Sequence, residues 1–285
     1  MALGTRAVSD SQGVRTLLTS ARFELMPFES FDEEITHLPD DATIAITTSP
    51  QLGIEKTVEK TEEAAEMGFD VVPHIAARYV EDREQLESIA ERLEEAGITD
   101  IFVPGGDREE PAGEYESAHD LLEALAETEY SFEEVGITGY PEGHDFIDDE
   151  TLAESMAQKA PYATYIVTQL CYDPDAVLEW VEDIRARGIE LPVEVGIPGV
   201  MNYQRLMQIS QKVASVIRSN SSGRRRAFSV RQATGRLSWD LRTDELIDGL
   251  APYVGDDEYN IRGVHIYTFN QTPDTERWRH NRLDS

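Results

Sequence analysis

The chain has 285 residues, 40% of them hydrophobic, and carries 56 acidic side chains against 25 basic ones for a formal charge of -31. That length can bury a sizeable core in one α/β barrel or two small domains, while the acidity opposes a nucleic-acid partner, whose phosphates are bound by cations. The single cysteine, Cys171, excludes an intrachain disulfide framework, and no apolar run reaches the roughly 20 residues of a membrane-spanning helix.

Residues 1–20 read as a polar leader without the uninterrupted apolar core of a secretory signal, so a cytoplasmic protein in a reducing interior is expected. Arg22-Phe23-Glu24-Leu25-Met26-Pro27 reads as a strand stopped by proline. Glu24 stands among apolar neighbours there; an edge position would leave it solvated, whereas a core-facing one gives the desolvated carboxyl that a general acid needs. Further strands are expected at 43–48, 71–75, 100–103, 135–138, 164–170, 192–197 and 263–269. Helices fit 53–67, 83–96, 117–127, 151–159, 174–187, 203–213 and 244–250, with Gly68 and Gly97 as stops.

Strand and helix alternate along residues 21–285, which favours a single-domain (β/α)8 TIM barrel. An open dinucleotide-binding sheet would want a glycine-rich turn after its first strand, and Phe28-Glu29-Ser30 is not one. Polar residues recur at or beyond the carboxyl ends of the apolar strands: Glu24, Thr47, His74, Asp107, Tyr140, His144 and Gln169. One site assembled from many strand ends explains this economically. The histidines show no HExxH or comparable ligand spacing, so no metal site is expected.

Residues 212–242 break the acidic pattern, carrying Arg218, Arg224, Arg225, Arg226, Arg231, Arg236 and Arg242 with Asp240 the only acid. One reading is a basic loop for phosphate or a polyanionic substrate tail. The other is a local frameshift, since the genetic code allows codons for residues 212–227 that, read one base out of register, encode a helix-like stretch.

Several motifs, in order, resemble those of the methylenetetrahydrofolate reductase family. Phe23-Glu24-Leu25-Met26-Pro27 resembles its FEFFPP strand and Pro73-His74-Ile75 its PHLT. Gly106-Asp107 resembles the end of its LRGD, residues 139–144 its GYPEGH and residues 166–173 its ITQxFFD. Ile197-Pro198-Gly199 resembles its IPG, and residues 265–270 its HFYTLN. The resemblance implies an oxidoreductase that reduces 5,10-methylenetetrahydrofolate to 5-methyltetrahydrofolate with hydride from NAD(P)H, carried by FAD, in one-carbon metabolism and methionine biosynthesis.

By position, it makes Glu24 the acid of the folate half-reaction and Asp107 the carboxylate close to the flavin ring. It assigns Thr47, His74, Gly106, Tyr140, His144 and Lys159 to FAD, and Gln169 with Glu24 to the folate. Gly105 stands where the family has the arginine of LRGD, and Lys159 lies one place from the family's lysine. A flavin-free reductase on the same barrel, or a non-catalytic folate- or flavin-binding subunit of a methyl-transfer complex, therefore stays open, as does homo-oligomerisation.

The charge also implies a salt-loving setting. At about 1 M salt the screening length falls to roughly 3 Å, relieving self-repulsion that dilute buffer leaves in place. The thermal midpoint is expected to rise between dilute buffer and molar salt, and equal midpoints at both ends would remove the halophilic reading.

Overall fold

The computed structural model describes residues 11–200 and 239–285; the expected helix at 203–213 and most of the basic segment 212–242 lie outside the described residues. Eight strands form one sheet: β1 (Arg22–Leu25), β2 (Thr43–Ile46), β3 (Asp70–Pro73), β4 (Asp100–Val103), β5 (Glu134–Gly139), β6 (Tyr165–Leu170), β7 (Val193–Pro198) and β8 (Ile261–Tyr267). Their order is β3-β2-β1-β8-β7-β6-β5-β4, every neighbouring pair parallel. The two ends of that order meet through a parallel bridge between His74 and Phe102, where the Ile75 amide donates to the Phe102 carbonyl at 2.8 Å. The sheet thus curls into a nearly closed (β/α)8 barrel, as the alternation of elements predicts.

The helices between strands are α3 (Gly53–Glu66), α4 (Arg83–Glu95), α5 (Ala118–Ala126), α6 (Asp149–Lys159), α7 (Pro174–Ala186) and α8 (Trp239–Leu250). Their starts follow from local chemistry. Asp82, Ser117, Asp148 and Asp173 each accept a hydrogen bond from a backbone amide of the first turn, and Ser117 with Asp120 completes a capping box. Gly97 ends α4 at a φ of +75°, the left-handed conformation that glycine adopts without a Cβ penalty.

The N-terminal boundary differs from expectation. Residues 11–19 are not part of a leader but form α1 (Ser11–Thr19), whose Val14, Leu17 and Leu18 are buried against the barrel. The i, i+3, i+4 spacing of these three makes one apolar stripe, too short to stand out among polar neighbours. Two further elements are unanticipated: α2 (Phe31–Glu34) and the final α9 (Thr272–Leu283), which buries only Thr272, Thr275 and Trp278.

Side chains alternate between two cores. Outward-facing Phe23, Leu25, Ile44, Ile46, Ile137 and Ile166 belong to the large core beneath the helices. Ala45, Val72, Phe102, Tyr165 and Val167 form a separate cluster filling the barrel itself. Tyr165 fits there because β5 offers Gly136 beside it; a Cβ on Gly136 would lie 2.4 Å from the tyrosine ring.

Below this apolar layer, at the amino ends of the strands, charge fills the barrel. Arg22 pairs with Asp100 at 2.9 Å and Glu194 at 3.0 Å, and Arg262 with Glu134 at 2.7 Å and Glu194 at 2.9 Å. The Tyr165 hydroxyl donates to Asp100 and accepts from Arg22, both at 2.8 Å, and both guanidinium groups lie over its ring, at 4.7 and 4.2 Å from the centroid. Burial pushes the Asp100 carboxyl up to about 6 despite the opposing pull of Arg22. Tyr165→Phe keeps the ring but deprives Asp100 and Arg22 of a buried partner, an expected loss of about 1–3 kcal/mol. Urea unfolding of the variant beside the parent, at fixed high salt, measures it.

Candidate functional site

The sequence-derived site residues lie on the carboxyl side of the barrel, or in Lys159's case on the helix that follows β5. Glu24 is on β1, Thr47 follows β2, His74 follows β3, and Gly106 and Asp107 follow β4. Tyr140 and His144 follow β5, and Gln169 is on β6. This is the face on which barrel enzymes assemble their sites.

The structure draws some of these residues into contact and leaves others apart. Glu24 lies inside the barrel, its carboxylate 3.3 Å from His265 Nε2 and 3.9 Å from His74 Nδ1. Both imidazoles are almost fully enclosed, 3% exposed for His74 and 2% for His265. His74 packs edge-on to Phe102 at 4.7 Å and His265 to Tyr267 at 5.0 Å, so neighbouring rings fix both orientations. Burial first, then His265 and Arg22, drives the His74 pKa well below its ordinary value, leaving a neutral ring at pH 7. His74 Nε2 and His265 Nδ1 are buried without a hydrogen-bond partner among the described residues.

Glu24 owes its place to the turn after β8. The Thr268 hydroxyl donates to the Glu24 carbonyl, Asn270 Oδ1 accepts from the Met26 amide at 2.8 Å, and Asn270 Nδ2 donates to the Met26 carbonyl at 3.0 Å. To reach that position Phe269 and Asn270 adopt φ of +51° and +52°, left-handed conformations that asparagine tolerates better than most residues. His265, Thr268 and Asn270 were not assigned roles from the sequence. The available signal was strand parity: His265 and Tyr267, two apart, share a face of β8, and Tyr267 stands level with Glu24 in the β1–β8 register.

Asp107 is exposed and bonded to the Tyr79 hydroxyl rather than joined to Glu24. Burial, with Asp107 adding, raises the Tyr79 pKa, so the phenol keeps its proton and donates it to the carboxylate. Tyr140 and His144 meet edge to face at 5.4 Å, and His144 continues to the exposed Phe146 at 6.0 Å. Gln169 is exposed at the mouth and Thr47 is half-buried.

Lys159 is 4% exposed, and its ammonium has only the Thr138 hydroxyl at 3.1 Å and carbonyl at 3.5 Å, with no acidic partner among the described residues. Burial lowers its pKa to about 8. A buried cation facing only neutral oxygens is ready for an anionic group, such as a cofactor phosphate. Cys171, the expected core residue, is buried with its thiol pushed up to about 12 by desolvation, far from a nucleophile's range.

A parallel barrel carrying an enclosed carboxylate and two imidazoles at its carboxyl mouth has the architecture of a (β/α)8 enzyme. The family profile "Methylenetetrahydrofolate reductase" matches residues 43–232, two thirds of the chain, and the chain belongs to that family. Methylenetetrahydrofolate reductase 1 of Schizosaccharomyces pombe is 33% identical over 130 residues, 42% of this chain and 21% of that protein. The 5,10-methylenetetrahydrofolate reductase of Pectobacterium carotovorum is 27% identical over 152 residues, 50% of this chain and 48% of its own. The matches thus span less than half the length of these curated relatives. Among solved structures, an uncharacterized Clostridium thermocellum protein that binds two copies of 5-methyl-5,6,7,8-tetrahydrofolic acid superposes with a TM-score of 0.66 at 9% identity, covering 97% of this chain and 98% of that one, and shares its fold. No helix among the described residues is long and apolar enough to cross a membrane.

Lys159 yields a prediction with a definite sign. Its folded pKa of about 8 lies below the ordinary 10.5, so charged Lys159 destabilises the fold below pH 8, by about 3 kcal/mol. That cost is relieved as pH rises from 8 towards 10.5. Lys159→Met should therefore melt higher than the parent at pH 7, with the gap closing near pH 10, as thermal midpoints across that range would show.

Proposed function

We propose that the chain reduces 5,10-methylenetetrahydrofolate to 5-methyltetrahydrofolate, consuming one hydride from NAD(P)H and one proton. Membership of the family supports the substrate class. The observation that carries the reading is Glu24, a carboxylate held inside the barrel mouth between two buried imidazoles. The fold shared with a protein that binds a tetrahydrofolate is consistent with that substrate class.

Glu24 supplies the proton. Protonating the N10 side of the bridging methylene breaks its C–N bond and leaves the carbon as an N5 iminium, an electrophile that accepts hydride to become the methyl group. Thr268 and Asn270 fix the backbone that carries the acid, and His265 at 3.3 Å fixes its carboxylate. Gln169, exposed at the mouth, is placed to hydrogen-bond the pterin or the nicotinamide. FAD, when bound, supplies a carrier that takes hydride from the nicotinamide and gives it to the folate. Lys159 fits its diphosphate as a buried cation without an acidic partner among the described residues, and Thr47, His74, Gly106, Tyr140 and His144 border the same face.

A second reading, direct hydride transfer from nicotinamide to folate, is favoured by Asp107. The resemblance sets this carboxylate beside the flavin ring, yet here Tyr79 engages it, and Gly105 replaces the family's arginine. The absorption spectrum of protein purified in high salt separates the two, since a colourless active enzyme selects the direct route. The acidic surface supports work in a salt-rich cytoplasm.

Glu24→Gln retains shape and hydrogen bonding but removes the transferable proton. Methylenetetrahydrofolate reduction is expected to fall by roughly 10² to 10⁴-fold. If flavin is bound, its reduction by nicotinamide should continue in stopped-flow measurements. Loss of that step with folate-driven reoxidation intact would assign Glu24 to the other half-reaction.

A further inference from the structure

His74 poses a question that reductase chemistry leaves open. It is an enclosed imidazole whose Nε2 has no partner among the described residues, and whose Nδ1 has the Glu24 carboxylate no nearer than 3.9 Å, beyond hydrogen-bond range. His265 repeats the pattern, with Nδ1 unpartnered and Nε2 directed at the same carboxylate oxygen. The nitrogens nearest the shared carboxylate oxygen, His74 Nδ1 and His265 Nε2, are those that a common ligand between the three side chains would use.

The same three residues offer one ligand atom apiece, all within 4.8 Å of one another. A tetrahedral zinc ion with bonds of about 2.0–2.1 Å sets its ligand atoms roughly 3.4 Å apart. The two carboxylate contacts of 3.3 and 3.9 Å already approach that spacing. Phe102 and Tyr267 hold the two rings in place. The residues come from β1, the end of β3, and β8, far apart in sequence, which is why linear spacing gives no metal motif.

We propose that Glu24, His74 and His265 bind one divalent transition-metal ion of the zinc type, with a further coordination position open towards the barrel mouth. Two imidazoles and a carboxylate form a donor set suited to zinc, cobalt or iron(II) and poorly suited to magnesium or calcium. A carboxylate that ligates a metal cannot deliver a proton, so metal occupancy and the proposed proton donation exclude one another. The metal therefore inhibits folate reduction, and the site makes the enzyme sensitive to free transition metal.

Cobalt(II) is the probe. The full chain, free of folate and flavin, is titrated in molar potassium chloride with millimolar magnesium, which occupies the many surface carboxylates. One equivalent is expected to develop the intense visible bands of a four- or five-coordinate ion, and zinc should bleach them. His74→Gln, His265→Gln and Glu24→Gln should each weaken cobalt binding by about 100-fold or more, since loss of even an outer-shell partner costs 10 to 100-fold. Circular dichroism checks that each variant is folded. Should a histidine variant not fold, Glu24→Gln and the parent's stoichiometry decide. A parent showing only weak six-coordinate absorption, or variants that bind cobalt as the parent does, would overturn the proposal. Folate reduction assayed in excess chelator tests the reductase reading separately, because it succeeds or fails without metal.

Discussion

An eight-stranded barrel is just wide enough to be filled by side chains, and what fills each level decides what the next can hold. Here the floor is a web of two arginines, three carboxylates and a tyrosine, drawn from β1, β4, β5, β6, β7 and β8. Such a web contributes little net stability, because removing several ions from water offsets most of their attraction. Its effect is geometric. Six of the eight strands are tied to one another at their amino ends, which fixes their relative register at the bottom of the barrel. Above it the apolar plug of Val72, Phe102, Tyr165 and Val167 separates floor from mouth.

That separation lets the mouth carry groups that a core would reject. Among the described residues Lys159 faces neutral oxygens, His74 and His265 each keep a nitrogen without a partner, and Glu24 sits between the two rings. Floor and mouth are both polar, yet they differ in satisfaction. Most floor charges meet an opposite one at bonding distance, whereas Lys159 and the outer nitrogens of His74 and His265 meet none among the described residues. Incomplete pairing of this kind is the usual mark of groups held for a ligand rather than for the fold.

The alternation of strands and helices was legible because each strand is a short apolar run bounded by turn residues, as at Pro27, Gly68 and Gly97. Strand-end polar residues were legible for the same reason: they interrupt those runs. The floor was not. Asp100 and Glu134 begin their strands and Glu194 is second in its own, where acids in so acidic a chain read as solvated surface, and only barrel closure brings Arg22 and Arg262 to them. His265 stayed hidden between Val264 and Ile266, where period-two parity is its only cue. Helix α9 hid because it buries two threonines and a tryptophan rather than an apolar stripe.

The clasp between Met26 and Asn270, with Thr268 on the Glu24 carbonyl, joins the first strand of the barrel to the turn after the last, across 244 residues of chain. On the ribosome the acid emerges long before what holds it. Until β8 and its turn leave the exit tunnel, β1 has a vacant edge and Glu24 has neither His265 beside it nor Thr268 behind it. Barrel closure and completion of the site are thus one event in biosynthesis, so a chain stalled before β8 presents an open sheet edge to chaperones and proteases in place of a half-working enzyme.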